Sequence, residues 1–184
     1  MSLILNVDRP MIRRATLEDA AAIAAIHVRT WQAAYAGIVP DDFLAGLSKE
    51  KRKEFWGREL ADNQSIVVTA VEKGAVVGWA SGGASRDPDA AKCVSEIYAI
   101  YIYPENWAQG VGTQLMRRIE EEISPCSVIT LWVLAQNQRA IAFYRKLGYE
   151  PDGAEKNVQL GGISLSEVRF RKRTSTGDSE AQEA

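Results

Sequence analysis

The feature that most constrains the fold of this chain is a glycine turn, Gly110-Val111-Gly112, which joins an apolar segment to an amphipathic one. Before the turn, residues 94–103 are largely apolar on both alternating faces, which predicts a strand covered by helices on both sides. After the turn, apolar residues recur at helical spacing up to residue 123. A buried strand that passes through a tight turn into an amphipathic helix is typical of an α/β protein.

The remaining segments repeat the same two patterns. The predicted strands are residues 12–15, 65–71, 75–80, 94–103, 127–134 and two within 149–170, around a turn at Gly161-Gly162. The predicted helices are one that starts at Thr16 with an acid at Asp19 and stops before Gly37, then residues 41–60, 111–123 and 137–147. Small polar residues predict a loop at 81–91. The order is strand, helices, three strands, helix, strand, helix, two strands.

The length of 184 residues predicts one folded domain at residues 11–173, after an N-terminal extension at 1–10 and before a disordered acidic tail at 174–184. The 22 Lys and Arg against 24 Asp and Glu argue against capture of nucleic acid. No apolar run is long enough to cross a bilayer, and the start lacks the features of a signal peptide, so we expect a cytoplasmic protein without a membrane partner. Two cysteines without a CxxC and a single histidine argue against a disulfide framework and a metal site.

The glycine turn has the physical properties of a phosphate site. Glycines let a ligand approach the backbone, and the first N–H groups of the helix that follows have no intrahelical partner. The helix dipole adds positive potential at the same place. A dinucleotide-binding turn needs a third glycine where Leu115 stands, and a P-loop needs a lysine after its last glycine, so both are excluded. A plain strand-to-helix turn stays open as the alternative.

A second group of residues follows the strand at 127–134. Asn137 and Tyr144 lie seven residues apart, which is about two turns of a helix, so both side chains can lie on one face. The simpler interpretations are that Asn137 is only an N-cap and that Tyr144 is only a packed aromatic residue.

Together these segments resemble the GNAT superfamily of N-acetyltransferases, over about residues 11–171. The family's turn reads Gln/Arg-x-x-Gly-x-Gly/Ala after its fourth strand, and here Trp107 stands first in that pattern. Trp107 departs from the commonest residue, and Ala108 stands where glycine is frequent, but the backbone cradle is kept. Residues 137–149 resemble the family's Asn followed by Ala-x-x-Phe-Tyr-x-x-x-Gly-Phe/Tyr.

The resemblance implies an acyl-CoA N-acyltransferase fold, with a mixed, mostly antiparallel sheet, helices on both faces and a splay between the fourth and fifth strands. It also implies acetyl-CoA as co-substrate, without a metal, and a pantetheine arm that pairs with the fourth strand like an added strand. The residues implied to bind acetyl-CoA are Ile100, Tyr101, Ile102, Trp107, Ala108, Gln109, Gly110, Val111, Gly112, Thr113, Asn137 and Tyr144.

Acetyl transfer to an amine requires a neutral amine, a stabilised oxyanion and a proton donor for the leaving thiolate. Glu96 is the candidate base, because an ionisable residue in an apolar strand needs a reason and several family members carry a glutamate there. A solvated strand end is the alternative for Glu96. Tyr144 is the candidate acid, and a backbone N–H within residues 100–102 is the candidate oxyanion donor. Neither cysteine lies in a nucleophile motif, so we expect direct attack in a ternary complex.

The acceptor side carries a weaker pattern. Trp31 and Tyr35 correspond to the segment that often lines the acceptor pocket in the family, with core packing as the alternative that we prefer for Trp31. His27 shares a helical face with Trp31 and is expected to be packed rather than catalytic. We expect the primary amine of a small molecule or a peptide as acceptor, and leave a homodimer open. A catalytically silent acyl-CoA-binding regulatory module is the alternative function.

Overall fold

The computed structural model describes residues 9–63, 65–91, 93–123 and 127–174. Its strands are β1 (Met11–Arg14), β2 (Ile66–Glu72), β3 (Ala75–Ala84), β4 (Val94–Ile102), β5 (Val128–Leu134), β6 (Glu150–Leu160) and β7 (Ile163–Arg173). Its helices are α1 (Ala20–Ala34), α2 (Asp41–Ala45), α3 (Lys49–Asp62), α4 (Val111–Ile123) and α5 (Gln138–Lys146). The predicted element order is confirmed. Residues 1–8 of the expected extension and 175–184 of the expected tail lie outside the described residues, so the division of the chain stays a prediction.

Two segments differ from their predictions. The single helical zone expected at residues 41–60 is two helices, because α2 stops at Gly46 and the Ser48 hydroxyl accepts the N–H of Lys51 to start α3. The loop expected at 81–91 is strand as far as Ala84. Its small residues reflect close packing, since a Cβ on Gly82 would lie 2.9 Å from the carbonyl oxygen of Glu96.

The seven strands form one sheet in the order β1-β2-β3-β4-β5-β7-β6. All neighbours are antiparallel except β4 and β5, which are parallel. That parallel pairing joins residues 94–97 of β4 to residues 128–131 of β5 and goes no further. Beyond these residues the two strands separate, which confirms the splay expected between the fourth and fifth strands.

Helices cover both faces of the sheet, as predicted. On one face, α1 and α3 enclose a cluster that includes Ile23, Trp56 and Trp79. On the other face, α4 and α5 contribute residues such as Leu115 and Ile141 to a larger cluster. Burial of each such side chain contributes about 1.5–3 kcal/mol, so the two layers hold the sheet rigidly on either side of the splay. No helix within the described residues is both long and apolar enough to span a membrane.

The segment after α1 is fixed by a third, smaller cluster. Val39 and Leu44 pack with Leu134 at the end of β5 and Leu165 on β7. This packing connects the segment after α1 to β5 and β7, so that segment encloses one side of the gap between β4 and β5.

Candidate active site

The splay opens a cavity of about 710 Å³ between β4 and β5. Most residues predicted from the sequence as site residues line it: Trp31, Tyr35, Ile100, Tyr101, Ile102, Trp107, Ala108, Gly110, Gly112, Thr113, Asn137 and Tyr144. Three predicted residues are not among the lining residues, namely Glu96, Gln109 and Val111. Residues from both motifs and from α1 therefore meet in one space.

The edge of β4 that faces the splay presents backbone groups. The carbonyl of Ile102 points to this edge, where it accepts the Trp107 indole N–H at 2.8 Å and the Thr30 hydroxyl at 3.0 Å. The N–H of Tyr103 points the other way, to the carbonyl of Val77 on β3. Because backbone groups alternate along a strand, the N–H and C=O of Ile100 lie on the same open edge as those of Ile102. An extended ligand can pair with the N–H groups of Ile100 and Ile102 and with the C=O of Ile100, since the Ile102 carbonyl already accepts two hydrogen bonds.

The turn before α4 depends on its backbone conformation. Gly110 has a φ of 86° and Ala108 a φ of 61°, so both occupy the left-handed region that favours glycine. The Gly110 carbonyl accepts the N–H of Gln114, so α4 begins directly after it. The first-turn N–H groups of α4 have no intrahelical partner and can bind an anion. Gln109 instead donates its side-chain amide to the carbonyl of Glu105 at 2.7 Å.

Gly112 has a different role from Gly110. A Cβ on Gly112 would lie 3.1 Å from Ile102 Cδ1 and from the Phe143 ring, whereas a Cβ on Gly110 would meet no atom within 4 Å. Gly112 therefore lets α4 pack closely against β4 and α5, and Gly110 gives the turn its shape. Val111 between them is buried in the core, so only its backbone can serve the cavity.

Arg139 is a lining residue that the sequence argument missed. Its guanidinium carbon lies 3.1 Å from the centre of the Trp107 ring. Burial lowers the pKa of Arg139 from its ordinary value. The sequence did hold a signal, because Arg139 stands in the first turn of α5, where the helix dipole disfavours a cation. The stacking of Arg139 on Trp107 places a cation beside the first residue of the glycine-turn motif. The residues of that motif carry no cation themselves.

Asn137 and Tyr144 lie on the same side of α5 and both line the cavity. Asn137 caps the helix, as the simpler interpretation predicted, because its Oδ1 accepts the N–H of Ala140 at 3.1 Å. The amide NH₂ of Asn137 remains as a donor group. Tyr144 is buried, and burial raises the pKa of its phenol well above the ordinary value. The phenol therefore stays protonated at neutral pH and can donate a hydrogen bond.

An aromatic cluster forms the α1 side of the cavity. His27 is buried and stacks on Trp31, with ring centres 5.4 Å apart, and also contacts Trp79 and Tyr101. Neither ring nitrogen of His27 has a hydrogen-bond partner, and burial lowers its pKa to about 3. As predicted, His27 is a packed residue. Trp31 and Tyr35 belong to this packing and line the cavity as well.

Glu96 lies in the part of β4 that is still paired with β5, opposite Thr130. Its side chain is buried, and both carboxylate oxygens are bonded to Arg86: one to the backbone N–H at 2.8 Å, the other to the guanidinium at 2.7 Å. The strand end is therefore not the solvated one that the alternative interpretation proposed.

Glu167 on β7 is a second residue that the sequence argument missed. It lines the cavity, and its carboxylate lies 3.7 Å from the ammonium of Lys156. Burial is the main cause of a raised pKa for the Glu167 carboxyl, with the charge of Glu96 adding to it. The available signal was the alternation along β7, which places Glu167 on the same face as the buried Leu165.

The arrangement can bind a ligand that is anionic at one end and extended along the other. Backbone N–H groups and Arg139 surround the anion site, and the open β4 edge offers peptide groups to an amide-containing chain. Within the described residues, no group of three or more His, Cys, Asp or Glu side chains is placed to hold a metal ion.

Comparisons with known proteins agree with this geometry. Residues 25–149 match the acetyltransferase (GNAT) family. The chain is 35% identical over 161 residues to the uncharacterized N-acetyltransferase YuaI of Bacillus subtilis (strain 168), a match that covers 85% of this chain and 89% of the relative. It is 29% identical to the L-amino acid N-acyltransferase MnaT of Escherichia coli (strain K12), covering 75% of this chain and 78% of the relative.

The fold has solved counterparts. The PaiA N-acetyltransferase from Thermoplasma acidophilum, in complex with coenzyme A, superposes with a TM-score of 0.71 at 19% identity, covering 90% of this chain and 99% of that structure. At this level of identity the similarity concerns the fold.

Proposed function

The chain belongs to the acetyltransferase (GNAT) family, and on that premise we propose that it transfers the acetyl group of acetyl-CoA to a primary amine by direct attack within a ternary complex. The acceptor is a small-molecule or peptide amine. The observation that carries the proposal is the cavity at the splay, which brings the glycine turn, Asn137 and Tyr144 to one space.

The residues around the cavity match the chemistry of acetyl-CoA. The first-turn N–H groups of α4 and the Arg139 guanidinium would bind the pyrophosphate, and the open edge of β4 at Ile100 and Ile102 would pair with the pantetheine amides. The Asn137 amide, which also lines the cavity, would donate to the same arm. When bound, acetyl-CoA supplies an acetyl group activated as a thioester.

The chain's own groups would then handle charge and protons. A backbone N–H at Ile100 or Ile102 would stabilise the oxyanion, because preorganised donors act strongly in a site that excludes water. The Tyr144 phenol, which burial keeps protonated, would donate to the departing sulfur. Glu96 stays the base expected from the sequence, with Arg86 bonded to both of its oxygens.

A small amine acceptor is supported by one relative and by the shape of the site. MnaT is named as an L-amino acid N-acyltransferase. In the present chain, the cavity continues past Tyr144 to Trp31, Tyr35 and Trp132, an aromatic surface on which the body of a small acceptor could pack.

The proposal is tested by release of free CoA from acetyl-CoA in the presence of an amine panel. The panel should contain amino acids, polyamines, aromatic amines, aminoglycosides and short peptides with free N-termini. Amine-dependent CoA release, with an acetylated amine detected by mass spectrometry, is the expected result. Tight binding of acetyl-CoA without release for any amine would favour a silent acyl-CoA-binding module instead.

A further inference from the structure

The wall of the cavity beyond Tyr144 carries a carboxylate that neither motif predicts. Glu167 stands opposite Leu134 of β5 on one side and Lys156 of β6 on the other, and its side chain is 22% exposed. It lines the same cavity as Tyr144, Tyr35 and Trp132. Glu167 therefore lines the cavity together with the aromatic residues on which the acceptor is proposed to pack.

Several ion pairs lie in this part of the sheet. They join five carboxylates to three cations. The carboxylates are Glu96, Glu167, Asp87, Asp89 and Asp152, and the cations are Arg86, Lys156 and Arg169. Of these carboxylates, Glu167 is the one that lines the cavity, so its charge is placed to attract an amine that arrives as its ammonium ion.

The two glutamates among them differ in their partners. Glu96 is held by the backbone N–H and the guanidinium of Arg86, so both of its carboxylate oxygens are already engaged. Glu167 forms its ion pair with the ammonium of Lys156, at 3.7 Å. Burial raises the pKa of Glu167, which brings it closer to the range in which a carboxylate accepts a proton effectively.

We propose that Glu167, in place of Glu96, is the catalytic residue that binds the acceptor's ammonium group and accepts its proton. This inference rests on the proposed acetyltransferase function. The ammonium gives one proton to the Glu167 carboxylate, and the freed lone pair forms the C–N bond at the acetyl carbon. The C–S bond breaks with its electron pair on sulfur, and the second proton of the amine nitrogen replaces the one that Tyr144 gives to the thiolate. The proton on Glu167 then leaves to solvent.

The groups that would set the titration of Glu167 come from every element around it. They are Lys156 on β6, Glu96 on β4, Arg86 in the β3–β4 connection, Tyr35 after α1 and Tyr101 on β4. Lys156 is the cation among them that forms an ion pair with Glu167. A substitution of Lys156 therefore changes the pKa of Glu167 while the carboxylate itself is kept.

The test compares Glu167→Gln with Glu96→Gln and with the control Glu155→Gln, which changes an exposed glutamate on β6. The acceptor is the amine from the panel that the wild-type protein turns over fastest. We expect Glu167→Gln to lower kcat/KM at pH 7 by about 100-fold or more, with the acetyl-CoA Kd unchanged. Its rate should keep rising with pH toward the amine's own pKa of about 10, where the free amine no longer needs a base. Glu155→Gln should follow the wild-type profile. Glu96→Gln should keep the acid limb of that profile, and loss of the acid limb in Glu96→Gln but not in Glu167→Gln would overturn the inference.

A second variant protects the test against a folding defect. Lys156→Gln removes the nearby cation, so the acid limb of the wild-type pH profile should move to higher pH with the maximal rate retained. If the wild-type enzyme is active and Glu167→Gln keeps the wild-type kcat/KM and pH profile, the inference about Glu167 is overturned and the proposed function is not. An unmoved acid limb in Lys156→Gln would also overturn the inference. Absence of CoA release by the wild type with every amine would instead overturn the proposed function.

Discussion

The two sides of the cavity are built in different ways. The turn side consists of the glycine turn, the open edge of β4 and α5, and its turn and strand act mainly through backbone groups. The aromatic side consists of Trp31, Tyr35, Trp132 and Glu167, which come from α1, the segment after it, β5 and β7. The turn side offers hydrogen-bond donors that suit a single ligand. The aromatic side offers side chains, so a few substitutions there would change its shape and charge.

From this difference we expect the turn side to be common among relatives and the aromatic side to vary. A backbone cradle depends on conformation, such as the φ of 86° at Gly110, and tolerates Trp107 and Ala108 in place of commoner residues. The aromatic side depends on the identity and charge of each side chain. Variants on the turn side should therefore change affinity for CoA, and variants on the aromatic side should change turnover, acceptor choice or stability.

The largest effect is expected at Tyr144, where the two sides meet. Tyr144→Phe removes the phenol that would donate to the sulfur but keeps the ring, so turnover should fall by about 100-fold while the acetyl-CoA Kd changes little. Steady-state kinetics at saturating substrates and calorimetric titration with acetyl-CoA measure the two quantities. An unchanged kcat would remove Tyr144 from the acid role, and a parallel loss of affinity would assign it to the turn side instead.

On the aromatic side, His27 should make stability depend on pH. Its folded pKa is about 3, below the ordinary value of 6.5, so between these values the unfolded chain binds a proton that the folded chain does not. Stability should therefore fall as the pH falls through this window, by about 1.4 kcal/mol per pH unit. Urea unfolding of wild type and His27→Phe between pH 7 and pH 4.5 measures it. Over that range, the free energy of unfolding of the variant should fall by about 2–3 kcal/mol less than that of the wild type. Equal falls in the two proteins would show that His27 is not the source of the pH dependence.

On the turn side, Gly110→Val should weaken acetyl-CoA binding about tenfold or more, because a branched side chain disfavours the φ of 86° that shapes the turn. The matched control is Gly74→Val in the β2–β3 hairpin, where φ is 80° and a Cβ also meets nothing within 4 Å. Both variants should lose stability, measured by thermal unfolding. Equal CoA affinities in the two variants would show that strain alone, and not the position of the turn, accounts for the effect.

A smaller effect is expected at Arg139. Arg139→Gln removes the cation that stacks on Trp107, so CoA affinity should fall about fivefold, equivalent to about 1 kcal/mol. The loss should shrink at high salt and be absent for pantetheine, which lacks the pyrophosphate. Arg145→Gln, on the exposed surface of the same helix, serves as the control. Equal losses for CoA and pantetheine would contradict a phosphate role.

Much of the fold followed from local pattern. The strands and helices appear in the predicted order, because apolar periodicity and turn residues act over short stretches of chain. The error at residues 81–91 arose because a distant element decided the outcome. The glycines at 82 and 83 indicate a loop when read locally, but they belong to β3, and Gly82 is small because Glu96 lies against it.

In the candidate site, too, some features follow from local sequence and others depend on distant elements. The glycine turn and the Asn137–Tyr144 spacing could be predicted locally, because each motif is contained in one turn or one helix. The folded structure was needed to show that Arg139 stacks on Trp107 and that Glu167 faces the cavity, since these placements depend on how α5 and β7 pack beside β4. It also decided that Glu96 is held by Arg86, from a connection ten residues earlier. Local motifs specify backbone conformation, whereas the charge and environment of a side chain are set by the neighbours that folding brings to it.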